Sequence, residues 1–145
     1  MSRGLFRLDE TRQWLQIAAE DLKSAEVLLQ ARPPLLKQAL FSCQQTVEKA
    51  LKAFLVFNER PFGKIHDLDA LGKLCFAIDP SLAPVVQPAR WLTKYAVEFR
   101  YPGELEQPTV EESLKWLAVA RTVLAEVAQR LPQEPQSSVG SETES

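Results

Sequence analysis

From Leu35 to Asn58 no glycine or proline interrupts the chain, and Leu40, Cys43, Val47, Ala50, Phe54 and Phe57 return at steps of three and four. That spacing lies on one face only if the backbone is an α-helix, so the segment is predicted to be a long amphipathic helix. A second pattern of the same kind precedes it. Asp9 to Ala31 carries Leu15, Ala18, Leu22, Ala25 and Leu29 in register. Asp9 and Thr11 are predicted caps, and Asp9 with Glu10 suits the positive end of the helix dipole. Arg32-Pro33-Pro34 stops this helix, because the residue before a proline is pushed out of the α region.

Three further segments follow. Pro61 and Gly63 make Asn58 to Ile65 a loop. Asp67 is the predicted N-cap of a short helix to Ile78, with Leu68, Leu71, Leu74 and Cys75 turned inward. Asp79-Pro80 restarts the chain as a capping residue before a proline at the first helical position. Pro84 and Pro88 predict a short turn, then a cleaner helix from Pro88 to about Arg100 with Trp91, Leu92, Tyr95, Ala96 and Phe99 on its apolar face. Thr109 with Glu112 is a capping box for a last helix to Leu131. Its apolar positions, Val110, Leu114, Leu117, Ala118, Leu124, Val127 and Leu131, are widened by Trp116, Ala120 and Val123. A stripe that wide implies burial on two sides, either in a dimer or as the central helix of its own bundle. No strand pattern of useful length and no internal repeat accompanies these helices. The expected fold class is therefore all-α, an up-and-down bundle of four to five helices joined by short loops.

Composition narrows the function. The chain has 145 residues and a formal net charge of −2. Residues 132–145 hold Glu134, Glu142 and Glu144 and no basic residue, so they read as a disordered acidic tail behind a domain at 1–131. Without those three, 16 acidic residues face 17 basic ones, a net of +1. A nearly neutral body does not grip nucleic acid by charge alone. No membrane span or secretory signal is apparent, so a cytoplasmic protein is expected, with Cys43 and Cys75 as buried reduced thiols. One histidine, two cysteines 32 residues apart and five scattered glycines offer no metal-ligand spacing and no phosphate loop, so neither metal nor cofactor is expected.

Chemistry-bearing residues gather in three places. Gln44, Gln45, Glu48, Lys49 and Lys52 lie at or beside one polar face of the second helix; amides read hydrogen-bonding edges and lysines attract phosphate. The bland alternative is a solvated face stitched by a Glu48–Lys52 pair. His66 and Asp67 stand at a helix N-terminus, where anions bind; the alternative is a histidine packed into a loop corner. Arg100 and Tyr101 suit a phosphate clamp and a stacking ring, or else terminal carbonyls and core closure.

Taken together, FSCQQTVEKALKAFL, HDL and FRYPGE, with WLQIAAEDLKSAEVLL as the first helix, resemble the HEPN domain family from about Trp14 to Leu131. The resemblance implies a bundle of four or five helices, commonly a homodimer. It implies an association with nucleotide binding and, often, a minimal nucleotidyltransferase partner in a toxin–antitoxin pair. Toxic members of the family are metal-independent ribonucleases that use an arginine followed a few residues later by a histidine on a late helix. After Arg100 those positions are Leu105, Glu106 and Gln107, so that signature is missing. Arg60 and His66 match the bare spacing but fall in the early loop.

Three functions remain in play. The leading one is a non-catalytic module that binds a nucleotide or phosphate-bearing ligand, or supports a nucleotidyltransferase, through the residues just named. The second is an endoribonuclease toxin using Arg60 or Arg100 with His66, in which case RNA is the partner. The third is a structural dimerisation or adaptor domain.

Overall fold

The computed structural model describes residues 3–97 and 108–132, and all its regular elements there are helical. Helix α1 (Arg3–Gln30) is followed by α2 (Leu36–Phe57) and α3 (Leu68–Ile78). A 3-10 turn (Pro80–Leu82), α4 (Ala83–Val86), a 3-10 segment (Gln87–Leu92) and α5 (Thr93–Val97) form one irregular rod. Helix α6 (Val110–Gln129) closes the set. Arg100, Tyr101 and residues 133–145 lie outside the described residues.

The first two helices form an antiparallel hairpin. Arg7 pairs with Glu59 and Trp14 lies against Lys52, so residue numbers fall along α2 as they rise along α1. Helix α2 is the centre of the bundle and packs against α1, α3, α5, α6 and the second 3-10 segment. Its predicted stripe is buried from Leu40 to Phe54, and Leu51 and Leu55 on other sides are buried as well. The sequence left open whether the last helix is central or dimeric; α2 occupies the centre, and α6 covers one side of it with Leu117, Ala120, Val123 and Val127.

Several predicted boundaries hold. The Asp67 carboxylate accepts the Ala70 N–H, and Asp79 caps the turn at Pro80. Thr109 and Glu112 exchange both bonds of a capping box.

Three expectations are corrected. Asp9 and Thr11 cap nothing, because α1 begins at Arg3; Thr11 sits mid-helix with its hydroxyl donating to the Arg7 carbonyl. The added turns are held by tertiary contacts that local sequence does not show, namely the Arg7–Glu59 pair at 2.8 Å and the Arg7 guanidinium 4.8 Å over the Phe57 ring. Residues Pro88 to Leu92 are 3-10 rather than α, since Pro84 and Pro88 each restart the ladder by withholding an N–H. Trp91, Val110 and Leu114, expected inward, are 59%, 49% and 52% exposed.

Helix α2 ends in a tight reversal that aims the next loop. Glu59 takes a left-handed φ of 55°, the Arg60 N–H donates to the Leu55 carbonyl and the Glu59 N–H to that of Val56. Glycine normally fills this position. Here Glu59 fills it while pairing with Arg7, and residues 60–67 fold back so that Phe62 meets Trp14 of α1 and His66 meets Glu48 of α2.

Candidate functional site

A row of polar side chains on α2 points into the bundle rather than to water. Gln44, Glu48 and Lys52 are one helical turn apart, and their exposures are 0%, 3% and 5%. The α1–α2 hairpin brings Trp14 over this row, and the loop after α2 brings Phe62 and His66. Lys52 Nζ lies 5.7 Å from the Trp14 ring centre and 5.3 Å from that of Phe62. The two rings meet edge to face at 6.2 Å. The ammonium is thus desolvated by aromatic faces, which attract cations.

Glu48 is the hub. Its Oε2 accepts from Lys52 Nζ at 2.9 Å and contacts His66 Nδ1 at 2.8 Å, while Oε1 accepts from Gln44 Nε2 at 3.0 Å. The chain continues outward: Gln45 Nε2 donates to Gln44 Oε1, and Lys49 Nζ to Gln45 Oε1, both at 2.6 Å. Burial pushes the Glu48 carboxyl up, but hydrogen bonds from His66, Lys52 and Gln44, with the Lys52 charge, outweigh it and hold the group below its ordinary range. Glu48 is therefore ionised at neutral pH. Asp21 on α1 behaves oppositely: burial raises it, the Lys49 charge opposes that, and the charges of Glu20 and Glu48 add to the rise. A group raised in this way favours folding when protonated and loses that contribution as pH rises through its folded value. Asp21→Asn is therefore expected to raise the melting temperature slightly at neutral pH and to change it little in acid.

The predicted residues fall into distinct classes. Gln44, Glu48 and Lys52 are interior. Gln45 and Lys49 are half-buried, and His66 and Asp67 are exposed, with Asp67 committed to its cap. His66, Glu48 and Lys52 meet directly; Lys49 joins them only through the two glutamines. The Glu48–Lys52 pair exists as expected for a stitched helix face, but the face is buried instead of solvated. Trp14, Phe62 and Asp21 were not singled out by sequence. The signal for a closed row was the Gln44, Glu48, Lys52 spacing of four, which a separate aromatic turn on α1 then covers.

A neighbouring open pocket of about 460 Å³ is lined by Arg7, Glu10, Glu59, Arg60, Phe62 and adjacent residues. His66 is not among its lining, so Arg60 and His66 do not share this pocket. Cys43 and Cys75 are buried free thiols, each pushed up to about 12 by burial and therefore unreactive. Among the described residues no cluster of three histidine, cysteine or acidic side chains is arranged to hold a metal, and no helix is long and apolar enough to cross a membrane.

The family model of the HEPN domain matches residues 11–131. The crystal structure of TT1696 from Thermus thermophilus is similar at 30% identity and a TM-score of 0.67, covering 83% of this chain and 98% of that one. No curated protein matches the chain.

Proposed function

The chain belongs to the HEPN domain family, and on that premise we propose that it is a non-catalytic module that binds a nucleotide or another phosphate-bearing ligand, with a minimal nucleotidyltransferase as its protein partner. The observation that carries this reading is the buried ion pair of Glu48 and Lys52, which pins an exposed imidazole. A buried pair is a poor source of stability, because desolvating two ions offsets their attraction. Its presence fits a device that holds His66 in a fixed pose. Direct ligand contact then falls to His66, Gln45 and Lys49, with Arg100 and Tyr101 assigned from the family resemblance, while Gln44, Glu48 and Lys52 position them.

Titration calorimetry with ATP and GTP tests the reading. Heat saturating at or below millimolar ligand, weakened about tenfold in Lys49→Ala by loss of one charge-assisted contact, is the expected outcome. Absence of heat at millimolar ligand with folded protein would exclude it. The partner is tested by co-expression with a minimal nucleotidyltransferase and recovery of a defined complex.

A second reading concerns assembly. Pro88, Trp91, Trp116 and Val119 form a groove of about 470 Å³ with Glu112 and Lys115 on its rim, and Trp91 is 59% exposed there. A rim carrying one charge of each sign suits a second copy related by a two-fold axis, in which Glu112 of one protomer meets Lys115 of the other. Sedimentation at micromolar concentration is expected to give a dimer, and Trp91→Asp a monomer of unchanged helicity. A wild-type monomer at that concentration removes this reading.

A further inference from the structure

We propose that His66 is a proton-gated anion contact: Glu48 holds its only neutral-state N–H, so the ring offers a donor to an incoming phosphate or sulfate oxygen only when it is protonated. The inference rests on the phosphate-ligand reading above and adds its regulation.

His66 Nδ1 lies 2.8 Å from Glu48 Oε2. Glu48 is ionised, and a bare nitrogen lone pair at that distance from a carboxylate oxygen would be repelled. Nδ1 therefore carries a proton and donates. Lys52 Nζ, at 3.4 Å from Nδ1, is the longer contact and is already engaged with the same carboxylate oxygen. With Nδ1–H fixed, Nε2 of the neutral ring is a lone pair. The side chain is 69% exposed, and Nε2 has no partner among the described residues.

A free imidazole could present either nitrogen's hydrogen to an anion. This one cannot turn without breaking a buried carboxylate's bond. Neutral His66 thus offers an acceptor to another acceptor, which is unfavourable. Protonated His66 offers a charged donor. The surrounding charge sharpens the switch. On α2, Glu48 and Lys52 cancel; on α1, Asp21 is set against Lys49. The remaining adjacent acid, Asp67, spends its carboxylate on the Ala70 N–H. Asp67 keeps its negative charge, so the proton on His66 brings these groups from a net negative charge to neutrality and removes the repulsion that an anion would otherwise meet.

His66 is the sole histidine of the chain, so its resonances are unambiguous. Nitrogen-15 NMR of the full chain is expected to show the neutral ring with Nδ1 protonated and Nε2 bare. Inorganic sulfate stays dianionic throughout the histidine titration range. By reciprocal linkage, sulfate should raise the midpoint of the His66 titration, and its affinity should fall about tenfold or more from the acid to the alkaline side. His66→Arg should bind sulfate at both ends of that range. A neutral ring protonated at Nε2, or a midpoint indifferent to sulfate, overturns the gate. If ATP binds equally on both sides of the titration, the gate fails while the ligand reading stands. If ATP binds on neither side, the ligand reading fails and takes the gate with it.

Discussion

Lys52→Met is expected to lower the unfolding free energy at neutral pH by about 3 kcal/mol, in the range found when one partner of a buried ion pair is removed. With a urea slope of about 1–3 kcal/mol/M, the midpoint should fall by roughly 1–3 M. Methionine fills the space of the lysine stem, so little cavity is created and the loss is electrostatic. Lys52 is 5% exposed and Glu48 3%, which leaves the carboxylate no route to water once its cation is gone. His66 and Gln44 keep their bonds to it, which is why the loss stays at the lower end.

The same variant carries a pH signature. In the native chain the Glu48 carboxyl is depressed. Its contribution is present above the ordinary carboxylate value and is lost as pH falls through the folded value. Removing Lys52 takes away two of the influences that depress Glu48, a hydrogen bond and a charge, and leaves the effect of burial. The gap between variant and wild type should therefore be widest near neutral pH and narrow below about pH 4.5, where the unfolded group takes up its proton. Urea curves at two pH values check this. A pH-independent deficit would mean that lost packing, not an orphaned charge, is responsible.

What the sequence made legible was mostly local. The Thr109–Glu112 box, the Asp67 and Asp79 caps and the stop at Pro33 depend on residues within a turn of one another, and all four hold. The stripe on α2 was visible because periodicity records which side chains share a face. Periodicity does not record what covers a face. The row Gln44, Glu48, Lys52 therefore read as a polar surface, although Trp14 and Phe62 close over it from segments distant in sequence. His66 looked like a loop residue at a helix start, while its partner lies 18 positions earlier. The start of α1 was misplaced for the same reason, since Arg7 is held by Glu59 and Phe57. The wide apolar stripe on α6 was visible, but sequence could not say that α2 would take the central place. Arg100 and Tyr101, one of the three expected ligand segments, lie outside the described residues.

Replacing the whole row, Gln44→Leu, Glu48→Leu and Lys52→Met together, is expected to bring stability back to within about 1 kcal/mol of wild type or above it, a recovery of about 3 kcal/mol over Lys52→Met alone. The three side chains interact, so their effects are not additive. Each alone leaves a buried partner unsatisfied; together they leave an apolar seam against Trp14 and Phe62. Gln44 must be included because it is fully buried, and its amide would lose its carboxylate acceptor at a cost of about 1–3 kcal/mol. Gln45 is only half-buried and can turn to water. The triple variant should nonetheless lose the fixed imidazole, with His66 reverting to a mixture of tautomers and its sulfate linkage becoming weaker and less dependent on pH. Stability regained while the histidine is released would mean that folding does not require this network and that its service lies at the surface. A triple variant as unstable as Lys52→Met would reverse that conclusion: the ion pair would be part of what holds α1, α2 and the loop together, and the case for it as a positioning device would be lost.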